Sequence, residues 1–242
     1  MIDKQSPIPI YYQLEQYMKE KIEKGEWRPG EMIPSERELA EMHAISRMTV
    51  RQAVNNLVND GYLIRRRGKG TFVAANKIEQ PLKGLTSFSE DMRARGMEPG
   101  TVVLGFETIP ASLTLAAWLS VSEGAPLYEI RRLRLADGAP MALETLYIPV
   151  NLVPGLTRDV VSGSVYEFIE KTLGLSIGTA VQALEASVAR QLEAECLQIK
   201  EGAPVLLLER RTCLADGRPV EVVKSVYRGD RYKFTVEMER RK

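Results

Sequence analysis

The sequence predicts two domains of mixed α/β class: a small helical unit closed by a basic hairpin, then a larger α+β unit built on one antiparallel sheet. Three observations carry this expectation. Apolar residues keep helical spacing over roughly the first sixty positions. A cationic, Gly-containing turn then joins two short β-prone runs. The rest of the chain holds two related copies of a strand-rich segment.

At 242 residues, with 44% hydrophobic and 27% charged residues, the chain has the size and balance of two modest globular domains, not of a disordered polymer. No apolar run approaches the ~18 residues of a membrane span, and "MIDKQSPIPIYYQ" lacks the basic-then-apolar layout of a signal peptide. These features imply a cytoplasmic protein with no membrane partner. Cys196 and Cys213 have neither metal-ligand spacing nor a disulfide framework, so both are expected as reduced thiols, with no metal and no cofactor. The formal net charge is only +1, yet residues 42–75 carry Arg47, Arg51, Arg65, Arg66, Arg67 and Lys69 against Asp60 alone, a local net charge of +5. A footprint so confined suits one face docked on a polyanion.

Taken in order, Ile10, Leu14, Met18 and Ile22 recur every four positions and predict an amphipathic helix ending near Gly25. After the "WRPG" turn, Ser35 and Glu38 form a capping-box pattern that starts a short second helix. "AIS" is a tight connection, Ser46 can cap a third helix, and Val50, Ala53, Val54, Leu57 and Val58 form its buried stripe. Gln52, Asn55 and Asn59 lie opposite, with Thr49 and Arg51 on the flanks, and Gly61 ends the helix. "YLI" and "TFV", joined by "RRRGKG", describe an exposed hairpin. Helix, helix, turn, helix, hairpin is the order of a winged helix-turn-helix, whose third helix enters the major groove and whose wing reaches phosphates or the minor groove.

"PSERELAEMHAISRMTVRQAVNNLVNDGYLIRRRGKGTFV" resembles the DNA-binding domain of the GntR family of bacterial transcription regulators. The resemblance implies that Arg37, Arg47, Thr49, Arg51, Lys69 and Gly70 contact double-stranded operator DNA. The residue types agree: Arg pairs bidentately with guanine, and Thr meets a phosphate or a thymine methyl. The expected domains are residues 1–75 for DNA binding, a polar linker at 76–86, and residues 87–242 for effector binding and dimerisation.

In the second domain "EGAP" recurs at an offset of 78 and "LADG" at an offset of 79. Each copy reads as strand, short helix, turn, strand, hairpin turn, strand. Two copies predict an antiparallel sheet of six strands with helices on one face. Alternation along "LYEIRRLRLA" puts Tyr128, Ile130, Arg132 and Arg134 on one face. Two such arginines repel unless an anion or a carboxylate sits between them. Arg211 and Cys213 are read as the matching positions of the other copy, so the chemistry is expected in one half only. Ser87 and Ser89, and likewise Ser162, Ser164 and Tyr166, open helical runs, where hydroxyls either cap the helix or join its N–H groups around an oxyanion.

"LTSFSEDMRARGMEPG", "APMALETLYIP", "SVYEFIE" and "SVYRGDRYKF" resemble the effector (UTRA-type) domain of the HutC-type GntR regulators, which is built like chorismate lyase but serves as a small-molecule sensor. The likeness is to the amino-sugar regulators of that subfamily. It implies a homodimer on a palindromic operator, repressing amino-sugar uptake and catabolism genes until a phosphorylated amino sugar releases it. N-acetylglucosamine 6-phosphate and glucosamine 6-phosphate are both open, as is a different sugar phosphate or organic acid. The resemblance assigns the phosphate to Ser89, Arg132, Arg134, Ser164 and Tyr166. It assigns the sugar to Phe88, Glu144, Glu221 and Tyr227. An enzymatic reading finds little support: His43 is the chain's one histidine and falls in the DNA-binding segment, and no nucleophile–base set or phosphate loop is present.

Overall fold

The helical spacing at the N-terminus folds into α1 (Ile10–Glu23), with Leu14, Met18 and Ile22 buried. The computed structural model describes residues 2–66, 68–74, 77–82, 84–238 and 240. Arg67 of the basic turn, residue 75 at the end of the expected DNA-binding domain, and residues 76 and 83 of the expected linker therefore lie outside the described residues. Two compact units result, residues 1–78 and 79–242.

In the first unit, Ser35 and Glu38 exchange both capping-box hydrogen bonds at the start of α2 (Glu36–His43). Ala44 then turns left-handed at φ 49° to end it. Ser46 caps α3 (Arg47–Asn59), accepting from the Thr49 N–H at 3.1 Å. Val50, Ala53, Val54 and Leu57 pack with Leu14, Met18 and Leu39 in one core, with Val58 partly buried at its edge. The wing is β1 (Leu63–Arg66) and β2 (Gly70–Val73), paired antiparallel from Leu63↔Val73 to Arg66↔Gly70. A short β-bridge, Met32↔Phe72, adds the turn before α2 to it.

The expected linker is not wholly loop. Residues 78–81 form β3 (Ile78–Pro81), which pairs with a strand from the far end of the chain. There follow α4 (Phe88–Ala94), β4 (Pro99–Pro110), α5 (Leu113–Leu119), β5 (Pro126–Ala136) and β6 (Ala139–Pro149). Next come two helical turns, α6 (Arg158–Val161) and α7 (Val165–Glu167), the latter running into a π-helical turn at Phe168–Thr172. The second repeat supplies β7 (Ile177–Val188), α8 (Gln191–Leu197), β8 (Pro204–Leu214) and β9 (Pro219–Arg228), and β10 (Tyr232–Thr235) closes on β3.

The six-stranded antiparallel sheet runs β4-β5-β6-β9-β8-β7. The two repeats thus meet at a β6–β9 seam, where Glu144 pairs with Ser225. Helices cover both faces, not one as the repeat pattern suggested, because each repeat buries apolar residues on both sides of its strands. Leu115, Ala116 and Leu119 of α5 pack on Leu127 and Val222, and Ala194 of α8 packs on Val205. On the opposite face Val161, Val165 and Ile169 cover Ile130, Leu146 and Val223. That second face also carries the buried charges.

Two candidate sites: a nucleic-acid face and an anion chamber

Each unit concentrates its sequence-derived candidates in one place. In the first, Arg37, Arg47, Arg51, Lys69 and Gly70 are exposed, and Thr49 is half-buried at the start of α3. Thr49 Oγ1 lies 2.8 Å from Ser46 Oγ. Glu36 receives two cations at once: Arg51 Nε at 2.9 Å and Arg65 Nη2 at 2.9 Å. One carboxylate therefore steadies both the reading helix and the wing. Arg37 pairs with Glu41 along its own helix, at 3.3 Å. Gly70 has φ +117°, and a Cβ there would come 3.0 Å from Met32 Sδ, so glycine lets the wing strand lie against the bridge. Arg66 stacks on Phe72 at 4.7 Å from the ring centroid, which stiffens the hairpin beside its turn. His43 sits at the end of α2, edge-on to Tyr17 at 4.9 Å. Burial holds its pKa below the ordinary value, which suits a packing role.

In the second unit the chemistry lies on the face of β5, β6, β9 and β8 that α6 and α7 cover. Arg132 and Arg134 share that face, as alternation requires, and both are buried. Each of the three guanidinium nitrogens of Arg132 has a partner. It donates to Glu144 Oε2 from Nε at 3.0 Å and from Nη2 at 2.6 Å. Its Nη1 donates to the carbonyls of Val161 and Gly163 at 3.1 and 3.3 Å, just ahead of α7. Burial alone raises the Glu144 carboxyl, but Arg132 and Arg134 outweigh it and hold it below the usual carboxylate value. Arg134 differs. Nη2 donates to Ser89 Oγ at 2.9 Å and the guanidinium lies over Phe88 at 4.6 Å. Its Nε and Nη1 are buried with no partner among the described residues. Burial pulls its pKa down to about 10, only partly offset by Glu144.

Across the face, Glu221 Oε1 accepts from Tyr166 OH at 2.6 Å and from Thr212 Oγ1 at 2.9 Å. Burial and then Glu221 push the Tyr166 phenol well above its ordinary pKa, so it stays protonated as a donor. Ser87 and Ser164 act as helix caps, accepting from the Glu90 and Glu167 N–H groups at 3.3 Å each. Ser162 turns away and donates to the Asp159 carbonyl at 2.6 Å. Tyr227 packs edge-on to Tyr232 and Phe234, and burial pushes its pKa up to about 12. Phe88, Ser89, Arg132, Arg134, Glu144, Ser164, Tyr166 and Glu221 line one small chamber of about 20 Å³. It adjoins a larger cavity of about 300 Å³ that Gln80, Asp91, Gln182 and Tyr227 help to line.

One expectation is corrected. Arg211 and Cys213 do not occupy the positions matching Arg132 and Arg134; Arg210 and Thr212 do. The strand follows the "EGAP" offset of 78, because the second hairpin turn is one residue longer: residues 214–218 separate Cys213 from its partner Pro219, whereas residues 136–139 separate Leu135 from Pro140. The offset of 79 applies only beyond that turn. Arg211 therefore faces the other side, exposed, on the Trp118 ring at 3.9 Å and bonded to Glu209 at 3.1 Å. Arg210 borders both cavities. It is the site residue that sequence reasoning missed, and anchoring the repeat on "EGAP" would have found it.

Comparison with known proteins agrees with this architecture. Residues 10–73 match the bacterial regulatory proteins of the gntR family, and residues 94–233 match the UTRA domain. The chain is 49% identical over 239 residues to the HTH-type transcriptional repressor NagR of Bacillus subtilis, covering 99% of this chain and 98% of that one. It is 33% identical to the mannosyl-D-glycerate transport/metabolism system repressor MngR of Escherichia coli, over 96% of this chain and 97% of that one. The crystal structure of PhnF from Mycobacterium smegmatis superposes with a TM-score of 0.67 at 33% identity, covering 96% of this chain and 99% of that chain. These relatives are regulators, not enzymes, and the chain belongs to the GntR family of DNA-binding transcription regulators, in its HutC-type, UTRA-containing branch.

Proposed function

We propose that the protein represses genes of amino-sugar uptake and catabolism and is released from its operator by a phosphorylated amino sugar. Similarity to NagR supports the amino-sugar assignment. The observation that carries the phosphate is Arg134: two of its buried nitrogens lack partners among the described residues, beside Ser89 and within the chamber of Arg132. A buried guanidinium left short of acceptors is destabilising, and an oxyanion relieves it. In this reading Ser89, Arg132, Arg134, Ser164 and Tyr166 hold the phosphate. Phe88, Glu144, Glu221 and Tyr227 meet the sugar. Arg37, Arg47, Thr49, Arg51, Lys69 and Gly70 contact a palindromic operator, read by a homodimer paired through its second units.

Thermal unfolding tests the effector class. The panel is N-acetylglucosamine 6-phosphate, glucosamine 6-phosphate, glucose 6-phosphate and unphosphorylated N-acetylglucosamine. A ligand at a hundred times its Kd stabilises by ~2.7 kcal/mol, a rise of several degrees for a chain this size. The expected result is a rise with a phosphorylated amino sugar and none with the unphosphorylated one. Stabilisation by organic acids with no response to any sugar phosphate rejects the reading.

A further inference from the structure

We propose that Arg210 contacts the effector and makes the cavity select a sugar phosphate whose sugar end is neutral and oxygen-bearing, an acylamino sugar over one with a free ammonium group. This rests on the amino-sugar reading above and chooses within it.

Arg210 stands on β8 at the position corresponding to Arg132 in the first repeat, but its surroundings differ. Where every nitrogen of Arg132 is bonded, to Glu144 or to two backbone carbonyls, Arg210 Nε is buried with no partner among the described residues. Its guanidinium rests 5.8 Å from the Tyr166 ring centroid. Phe88, Glu144 and Arg210 border both the small chamber and the larger cavity, so Arg210 stands where one gives onto the other. A ligand anchored by its phosphate at Arg134 and extending into the larger cavity passes this point.

Burial opposes the Arg210 charge, but Tyr166, Glu221, Tyr227 and Glu144 outweigh it and keep the group cationic. Neither carboxylate is bonded to it: Glu144 is taken by Arg132, and Glu221 by Tyr166 and Thr212. A hydroxyl or an amide carbonyl offers Arg210 the acceptor it lacks. An ammonium group offers none and adds a like charge in a shielded site, where repulsion is stronger than in water. The same cation therefore rewards one candidate effector and penalises the other.

Calorimetric titration of the full chain at fixed salt reads this directly. Wild-type protein is expected to bind N-acetylglucosamine 6-phosphate at least tenfold more tightly than glucosamine 6-phosphate, with glucose 6-phosphate also ahead of the free amine. Arg210→Gln, which keeps a donor but removes the charge, should shrink the gap below threefold. Arg210→Lys should keep it. Thermal melts confirm that each variant folds, and the wild-type comparison needs no variant at all. Equal binding of the acetylated and free-amine ligands by wild type, or a gap undiminished in Arg210→Gln, overturns the proposal. If wild type binds none of the three, the amino-sugar reading itself fails, and this selection fails with it.

Discussion

Arg132 and Glu144 show how a single buried ion pair serves two ends. Removing one partner of such a pair leaves an uncompensated charge and costs about 3–5 kcal/mol. Glu144→Ala is therefore expected to lower the melting temperature of the unliganded protein by roughly ten degrees; an unchanged melt means the pair is not enclosed as described. The pH dependence has a definite sign. Glu144 is held below its ordinary value of 4.5 in the folded chain. Its contribution is fully present above that pH and is lost as the pH falls through the depressed folded value. The stability gap between wild type and Glu144→Gln should narrow as the pH falls below the ordinary carboxylate value of 4.5, and a gap that stays constant throughout the acid limb contradicts the assignment. Arg134 beside the pair is different in kind, since two of its buried nitrogens have no partner among the described residues, a cost that a bound oxyanion offsets in the proposed reading.

At the scale of elements, local signals were the legible ones. The capping box of Ser35 and Glu38, the Ser46 cap, the buried stripe of α3 and the cationic turn between β1 and β2 are short-range patterns, and they form as the sequence implies. The duplicated strand order was legible too, because "EGAP" and "LADG" mark equivalent turns. Three things were not. The strand at Ile78–Pro81 depends on a partner some 150 residues away, which a polar local sequence does not announce. The π-helical turn at Phe168–Thr172 interrupts what reads as one helix. The place of Arg210 was hidden by a one-residue difference in turn length, and in a strand one residue exchanges the two faces. The edge strand β7 adds a prediction. It is 12 residues long, with Glu185 its one charge, and Val181 and Val188 are 76% and 59% exposed. A long apolar edge of this kind pairs with another chain unless covered, and a second copy of this chain is the occupant the proposed homodimer supplies. Val181→Lys with Val188→Lys should convert a species of twice the chain mass into a monomer by light scattering, while a dimer that survives both changes pairs elsewhere.

At the scale of the whole molecule, the two units carry separable functions. Arg51 belongs to the exposed basic face and pairs with Glu36, an ion pair that in the proposed reading gives way to operator phosphates or bases. Arg132 belongs to the enclosed chamber. Arg51→Ala should weaken operator binding while leaving sugar-phosphate binding intact, and Arg132→Ala should do the reverse. Equal loss of both activities in either variant points to misfolding.

In the proposed reading coupling joins the functions: an effector that favours an arrangement of the dimer poor in operator affinity lowers operator binding by the same factor that the operator lowers effector binding. The measurement that tests this most directly is operator affinity at fixed salt, with and without saturating N-acetylglucosamine 6-phosphate; salt is held fixed because phosphate contacts make affinity steeply salt-dependent. A coupling of ~1–3 kcal/mol predicts a loss of about 5- to 150-fold, absent in Arg132→Ala. Operator affinity that stays unchanged while the sugar phosphate binds contradicts the account.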